Sequence, residues 1–319
     1  MPHIIIVTFV ILIVTGLIVG NYFYGVAVKR SSKTGNVLEI NSDKKTFMGD
    51  DSYFSEVEPE HRYIQSGDGL LLHGMMIDNH SGKWVIICHP YRAGGRIMGN
   101  FAKMFGEIGF STLTVDLRGH GASEGKYIGM GWHDSFDILA WIKFLNEEVK
   151  VEEILLFGVS MGASAVMMTL GHHLPDNVKG AVEDCGYSSV KQELKYVLKK
   201  RYRLPPFPIM NFADIVFRMR AGYSILTDGD AVAQVKKKKI PLLFIHGESD
   251  KTVPMKMMDK LYKSAPGKKE KLKIPKAGHA EAVDVDEERY QKVLYSFVFQ
   301  HFLLQRDVYF LPFSVYRDS

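Results

Sequence analysis

The sequence predicts an α/β fold, with a mostly parallel central sheet, helices on both faces and a small helical cap insertion. Three observations carry that expectation. Short apolar or β-rich runs alternate with helix-like stretches through most of the chain. One run leads through Gly158-Val159-Ser160-Met161-Gly162 into a helix-like stretch, a strand, tight turn and helix in succession. Two later runs are followed closely by Asp250 and His279, so a serine, an acid and a histidine come in one order along the chain.

The chain opens on an uncharged stretch from Ile4 to Val28. As a helix rising about 1.5 Å per residue it would be about 37 Å long, enough to cross the hydrocarbon core of a bilayer. A cleavable leader would begin with positive charge and end on small residues, whereas this chain starts Met1-Pro2-His3 and stays apolar past Tyr22, Phe23 and Tyr24. Residues 1–30 therefore read as a retained anchor with an aromatic belt. Lys29, Arg30 and Lys33 follow it, and the positive-inside tendency favours the cytoplasm for what comes after. Residues 31–60, poor in apolar positions, read as a tether into the domain, and 61–319 as the domain itself. Because the anchor supplies no catalytic group, residues 31–319 alone are expected to be soluble and active.

Within the domain, Tyr63 to Gln65 and Leu70 to Ile77 flank the turn Ser66-Gly67-Asp68-Gly69 and predict a hairpin. Further strands are expected over Trp84 to Cys88, Ser111 to Val115, Ile154 to Phe157, Lys179 to Val182, Pro241 to Ile245 and Lys271 to Ile274. Helices are expected over Ile97 to Ile108, Trp132 to Val149, Met161 to Leu174, Met255 to Ser264 and Glu287 to Leu304. The rhythm breaks at about 187–239. There a helical piece (Val190 to Arg201), the rigid Leu204-Pro205-Pro206-Phe207-Pro208 and a second helical piece ending near Tyr223 form an insertion placed to cover a site. Its Tyr196, Leu198, Tyr202, Leu204, Phe207, Ile209, Met210, Phe212 and Phe217 either line an apolar pocket or pack the insertion onto the sheet.

The chemistry centres on Ser160. A serine at the apex of so sharp a turn has an exposed hydroxyl, and glycines on either side let strand and helix approach closely. The helix beginning there points its amides at the site, favouring developing negative charge. Serine is a poor nucleophile at neutral pH, so His279 is expected to accept its proton and Asp250 to orient and stabilise the imidazole. Asp184, at the end of the preceding strand, is the second candidate for the acid and Glu248 the third. An oxyanion hole needs two amides. Met161, next after the serine, supplies one, and Tyr91 is the choice for the other because Pro90 in His89-Pro90-Tyr91 has no N–H.

With these residues in place, the chain resembles the α/β-hydrolase family, and within it the small esterase-like and serine-aminopeptidase-like branch related to Bem46. Asp116-Leu117-Arg118-Gly119-His120-Gly121-Ala122-Ser123 adds to the resemblance, which covers roughly Tyr63 to Leu304. It implies a structural role for His120, in a loop shaping the pocket rim. The sequence departs from the family pattern at His89-Pro90-Tyr91, where relatives often have His-Gly-x.

Composition narrows the remaining classes. With 40 basic and 36 acidic residues the net charge is only +4, so no strong field for nucleic acid is implied. Cys88 and Cys185 make neither a disulfide framework nor a zinc-like spacing, and no phosphate-binding glycine loop or cofactor signature appears. The expected activity is hydrolysis of carboxylic esters of small apolar acyl groups through an acyl-serine, with no metal or cofactor. A serine peptidase or amidase is the runner-up. An acyltransferase comes third, and a binding protein on the same scaffold is disfavoured by the complete set of three residues.

Overall fold

A computed structural model describes residues 2–30, 46–49 and 52–302. The tether expected over 31–60 falls partly outside them, at 31–45 and 50–51, as does the end of the helix expected to run to Leu304. Helix α1 (Pro2–Val28) and the short α2 (Ser52–Val57) lead into the hairpin β1 (Glu60–Gln65) and β2 (Leu71–Ile77). The alternating part follows, with β3 (Lys83–Cys88), α3 (Gly99–Glu107), β4 (Ser111–Val115), α4 (Trp132–Phe144), β5 (Glu153–Val159), α5 (Met161–Thr169) and β6 (Val178–Asp184). The insertion carries α6 (Val190–Arg201), α7 (Ile209–Ala221) and a short α8 (Ala231–Val235) that periodicity did not reveal. The chain closes with β7 (Leu242–Gly247), α9 (Lys256–Ser264), β8 (Lys269–Ile274), α10 (Ala282–Val285) and α11 (Glu287–His301).

The strands form one sheet in the order β1-β2-β4-β3-β5-β6-β7-β8. Only the β1–β2 and β2–β4 pairs are antiparallel; β4 to β8 run parallel. The central strands read as unbroken apolar runs because both of their faces are covered. Trp84, Ile86, Ile154 and Leu156 point into one core with α4, α5 and the insertion, whereas Val85, Ile87, Leu155 and Phe157 point into a second core with α3 and α11. The helix expected over Met161 to Leu174 stops at Thr169. Its apolar pattern continues through the buried Leu170 and Leu174, but the backbone leaves the helix in a turn at Gly171, whose amide bonds the Met168 carbonyl.

Helix α1 is long and apolar enough to cross a membrane, with mean hydropathy 2.7 over its most apolar 18 residues. Its last third belongs to the domain. Tyr24 and Val28 are buried, the Tyr24 ring meets Phe217 edge-on at 5.0 Å, and the Ile128 amide donates to the Val28 carbonyl at 2.8 Å. Gly16 and Gly20 face Phe212 of α7 so closely that any side chain there would collide with it. Arg30 donates to the carbonyls of Ser123 and Gly121 at 2.9 and 3.0 Å, which ties the base that follows the helix to the Asp116–Ser123 loop.

Candidate active site

Ser160 stands between β5 and α5 with φ 56° and ψ −114°, a left-handed conformation that only a strongly braced turn sustains. The brace is visible. Its amide donates to the Asp184 carbonyl at 2.7 Å, and a Cβ on Gly158 would strike the Gly162 backbone. A Cβ on Gly162 would strike the carbonyls of Cys88 and His89, so both glycines are dictated by close approach, as the sequence implied.

The three residues expected from chain order come together. Ser160 Oγ lies 2.8 Å from His279 Nε2, and His279 Nδ1 lies 2.7 Å from Asp250 Oδ2. Asp250, on the turn after β7, accepts the Thr252 and Val253 amides on Oδ1 at 2.8 and 2.9 Å. His246 Nε2 sits 3.2 Å from Oδ2 and 2.8 Å from the Val253 carbonyl. Burial by itself would raise the Asp250 carboxyl; the bonds from His246 and His279 outweigh it and hold the group well below the usual carboxylate range. Asp250 is thus a fixed anion facing the imidazole.

The other candidate acids lie elsewhere. Asp184 Oδ2 accepts the Tyr290 hydroxyl at 2.9 Å, and burial pushes its pKa up to about 6. Glu248 is exposed on the surface. Neither holds the histidine. Cys185, Asp250 and His279 bring three potential metal-ligand atoms within 4.8 Å of one another. Two of these already bond each other, and burial raises the Cys185 thiol well above its ordinary value, which leaves a neutral thiol where a metal wants a thiolate.

Among the described residues the Tyr91 and Met161 amides meet no hydrogen-bond acceptor. Met161 is the first residue of α5, where helical amides have no acceptor within the helix. The contact of Gly162 with Cys88 and His89 puts the loop after β3 against this helix start. That loop is set by two histidines. His89 Nε2 accepts the Leu117 amide and His120 Nε2 the Arg92 amide, each at 3.0 Å, so each ring carries its proton on Nδ1 and donates it to the Pro90 and Arg118 carbonyls respectively. Burial lowers both pKa values, that of His120 to about 3, so both remain neutral acceptors. Asp116 completes the loop, accepting the Gly95 and Ala122 amides and His73 at 2.7, 2.9 and 2.7 Å.

Sequence reasoning missed four features of this site. They are the second histidine on Asp250 (His246), the tyrosine on Asp184 (Tyr290), the two-histidine brace of the Pro90–Arg92 turn, and the destination of the Tyr91 and Arg92 side chains. The Tyr91 hydroxyl donates to the Ala27 carbonyl and an Arg92 guanidinium nitrogen to the Val26 carbonyl, each at 2.7 Å. These side chains point at the end of α1. Of the insertion's aromatics, Phe217 is buried in the core, Phe212 packs on α1 and Tyr202 meets Phe23 edge-on at 5.3 Å. Ser160 and the His279 side chain are less than a tenth exposed.

The sheet order and the strand-turn-helix at Ser160 are those of the α/β-hydrolase fold. Comparison with known proteins agrees. Residues 79–205 match the family of serine aminopeptidases designated S33. The chain is 26% identical to YqkD of Bacillus subtilis over 259 residues, 80% of this chain and 85% of that one. It is 29% identical to human ABHD12B over 168 residues, 51% of this chain and 44% of that one. Among solved structures, the esterase Pf2001 of Pyrococcus furiosus superposes with TM-score 0.63 at 22% identity, covering 78% of this chain and 95% of its own. Est1E of Butyrivibrio proteoclasticus, solved with ferulic acid, superposes with TM-score 0.58 at 21% identity over 74% of this chain and 99% of its own.

Proposed function

We propose that the protein is a membrane-anchored serine hydrolase that cleaves carboxylic esters of small apolar acyl groups. The observation that carries this reading is the continuous relay from Ser160 Oγ through both nitrogens of His279 to Asp250. Ser160 Oγ attacks the acyl carbonyl while its proton passes to His279 Nε2, and Asp250 stabilises the imidazolium and fixes its orientation. The amides of Tyr91 and Met161 hold the oxyanion. His279 then returns the proton to the departing alcohol, leaving an acyl group on Ser160. Water, deprotonated by the same imidazole, releases the acid and restores the serine. No cofactor enters this cycle. Helix α1 acts as a single-pass anchor, with Lys29, Arg30 and Lys33 favouring a cytoplasmic domain.

A second reading, cleavage of amides or peptides by the same residues, is favoured by the match to serine aminopeptidases. The easier departure of an alkoxide, which makes smaller demands on the general acid, favours the ester. A fluorophosphonate probe should label the wild-type protein and not Ser160→Ala; equal labelling of both would remove Ser160 from the role. A panel of p-nitrophenyl esters and aminoacyl anilides then decides the class. Higher kcat/KM on the anilides than on every ester would overturn the ester reading.

A further inference from the structure

The geometry points to a second membrane element: the Pro-rich turn Leu204–Pro208 and the start of α7 dip into the hydrocarbon layer beside α1. The inference rests on the proposal that α1 spans the bilayer. The span sets a length requirement that α1 does not meet with its free portion. From Pro2 to Thr15 every residue is exposed, and at Gly16 the helix lies against Phe212. That free portion is about 21 Å long at about 1.5 Å per residue, whereas a hydrocarbon core is about 30 Å thick. The missing length takes the core on to about Asn21, and a tilted helix needs still more of α1. Gly16 and Gly20, the residues that hold Phe212, therefore lie inside the hydrocarbon layer. What packs on them goes in too.

The residues so placed suit that medium. From Leu204 to Ala213 there is no charged side chain, and the next charges along α7 are Asp214, Arg218 and Arg220. Phe207 is 75% exposed, Ile215 44% and Met219 78%, an apolar surface that water alone would not favour. Pro205, Pro206 and Pro208 have no amide to leave unsatisfied in lipid, and the amides of Met210 and Asn211 bond the carbonyls of Pro206 and Pro208 at 2.7 and 3.0 Å. Asn211 is the single polar side chain from Leu204 to Ala213. Polar groups gather at the level where the core should end. Arg220 donates to the Asn21 side chain at 2.6 Å and lies over the Tyr24 ring at 4.6 Å, while Lys199, Lys200 and Arg201 close α6 just before the dip. Bases at that height meet lipid phosphates. The insertion is thereby anchored in the bilayer at its outer edge.

The test labels single cysteines with the fluorophore NBD in the full-length protein, reconstituted into phosphatidylcholine vesicles with and without nitroxide-bearing lipids. The native Cys88 and Cys185 are fully buried. Ile11→Cys reports the span, Phe207→Cys and Met219→Cys the dip, and His80→Cys, on the exposed turn between β2 and β3, reports water. The expected result is strong lipid-dependent quenching at Ile11 and Phe207, weaker quenching at Met219 and none at His80. Quenching at Ile11 with none at Phe207 would overturn the dip and leave the anchor intact. No quenching at Ile11 would remove the anchor and the dip with it. A blue-shifted Phe207 signal that lipid nitroxides leave unquenched would mean that protein, such as a second copy of this chain, covers the surface, and would equally overturn the inference.

Discussion

The Tyr91 hydroxyl donates a 2.7 Å hydrogen bond to the Ala27 carbonyl, so the turn that follows β3 is held by the end of the hydrophobic helix. Ala27 sits in the last turn of α1, where helix carbonyls have no intrahelical donor, and the side chains of Tyr91 and Arg92 satisfy two of them. Removing the hydroxyl with Tyr91→Phe should cost about 1 kcal/mol of local order. It is expected to lower kcat/KM by a few-fold while Ser160 still reacts with fluorophosphonate. Steady-state kinetics on one p-nitrophenyl ester checks this, and an unchanged kcat/KM would separate the loop from the helix.

Deleting residues 1–30 removes more than a tether. The buried Tyr24 and Val28 go with it, each worth about 1.5–3 kcal/mol in transfer from water, together with the bonds from Arg30 to the Asp116–Ser123 loop. The shortened chain should melt several degrees lower and lose more activity than Tyr91→Phe does. Thermal unfolding in detergent, alongside the full chain, measures the difference. Equal Tm and equal activity would return α1 to the role of a passive anchor.

The acid can be assigned by substitution. Ser160→Ala and His279→Ala should each lower kcat by at least about 10^3 with the fold intact, because the members of such a relay act as a unit. Asp250→Asn should also be strongly damaging, through loss of the anion facing Nδ1. Asp184→Asn should retain most activity, since Asp184 bonds Tyr290 and not His279. A dead Asp184→Asn beside a near-normal Asp250→Asn would reverse the assignment. Circular dichroism of each variant controls for folding.

How much of this was legible follows from what local sequence encodes. The central strands announced themselves because burial on both faces leaves an uninterrupted apolar run, and Ser160, Asp250 and His279 because each follows a strand in fixed order. Gly158 and Gly162 could be read correctly because the reason for them, close approach of β5 and α5, is local. Long-range pairing was hidden. Nothing near Asp184 marks Tyr290 as its partner, 106 residues away. Nor could the apolar pattern of Ile4 to Val28 reveal that Gly16 and Gly20 receive Phe212, since a residue facing lipid and one facing an apolar helix look alike in sequence. For the same reason the insertion's aromatics fitted a pocket as well as they fitted packing on α1.

The last prediction concerns pH and a carboxyl that the relay does not use. Glu183 on β6 is fully buried, accepts the Gly186 amide on Oε2 at 2.7 Å, and has no partner for Oε1 among the described residues. Burial raises its pKa from 4.5 to about 8, with His246 drawing it down and Asp184 pushing it up. Below about pH 4.5 the group is protonated in folded and unfolded chains alike and has no effect on the pH slope. Between 4.5 and 8 the unfolded chain gives up the proton while the folded one retains it, so stability falls as pH rises through that window and levels off above it. A glutamine keeps the shape and the acceptor for Gly186 but has no proton to lose. Glu183→Gln should therefore melt close to wild type near pH 4.5 and progressively higher than wild type towards pH 8, by roughly several °C. Asp184, whose pKa is raised to about 6, contributes its own slope to both proteins, so the comparison rests on their difference. Melting curves for the pair at half-unit intervals from pH 4.5 to 8.5 make the measurement. Parallel curves would show that Glu183 is already ionised in the folded chain.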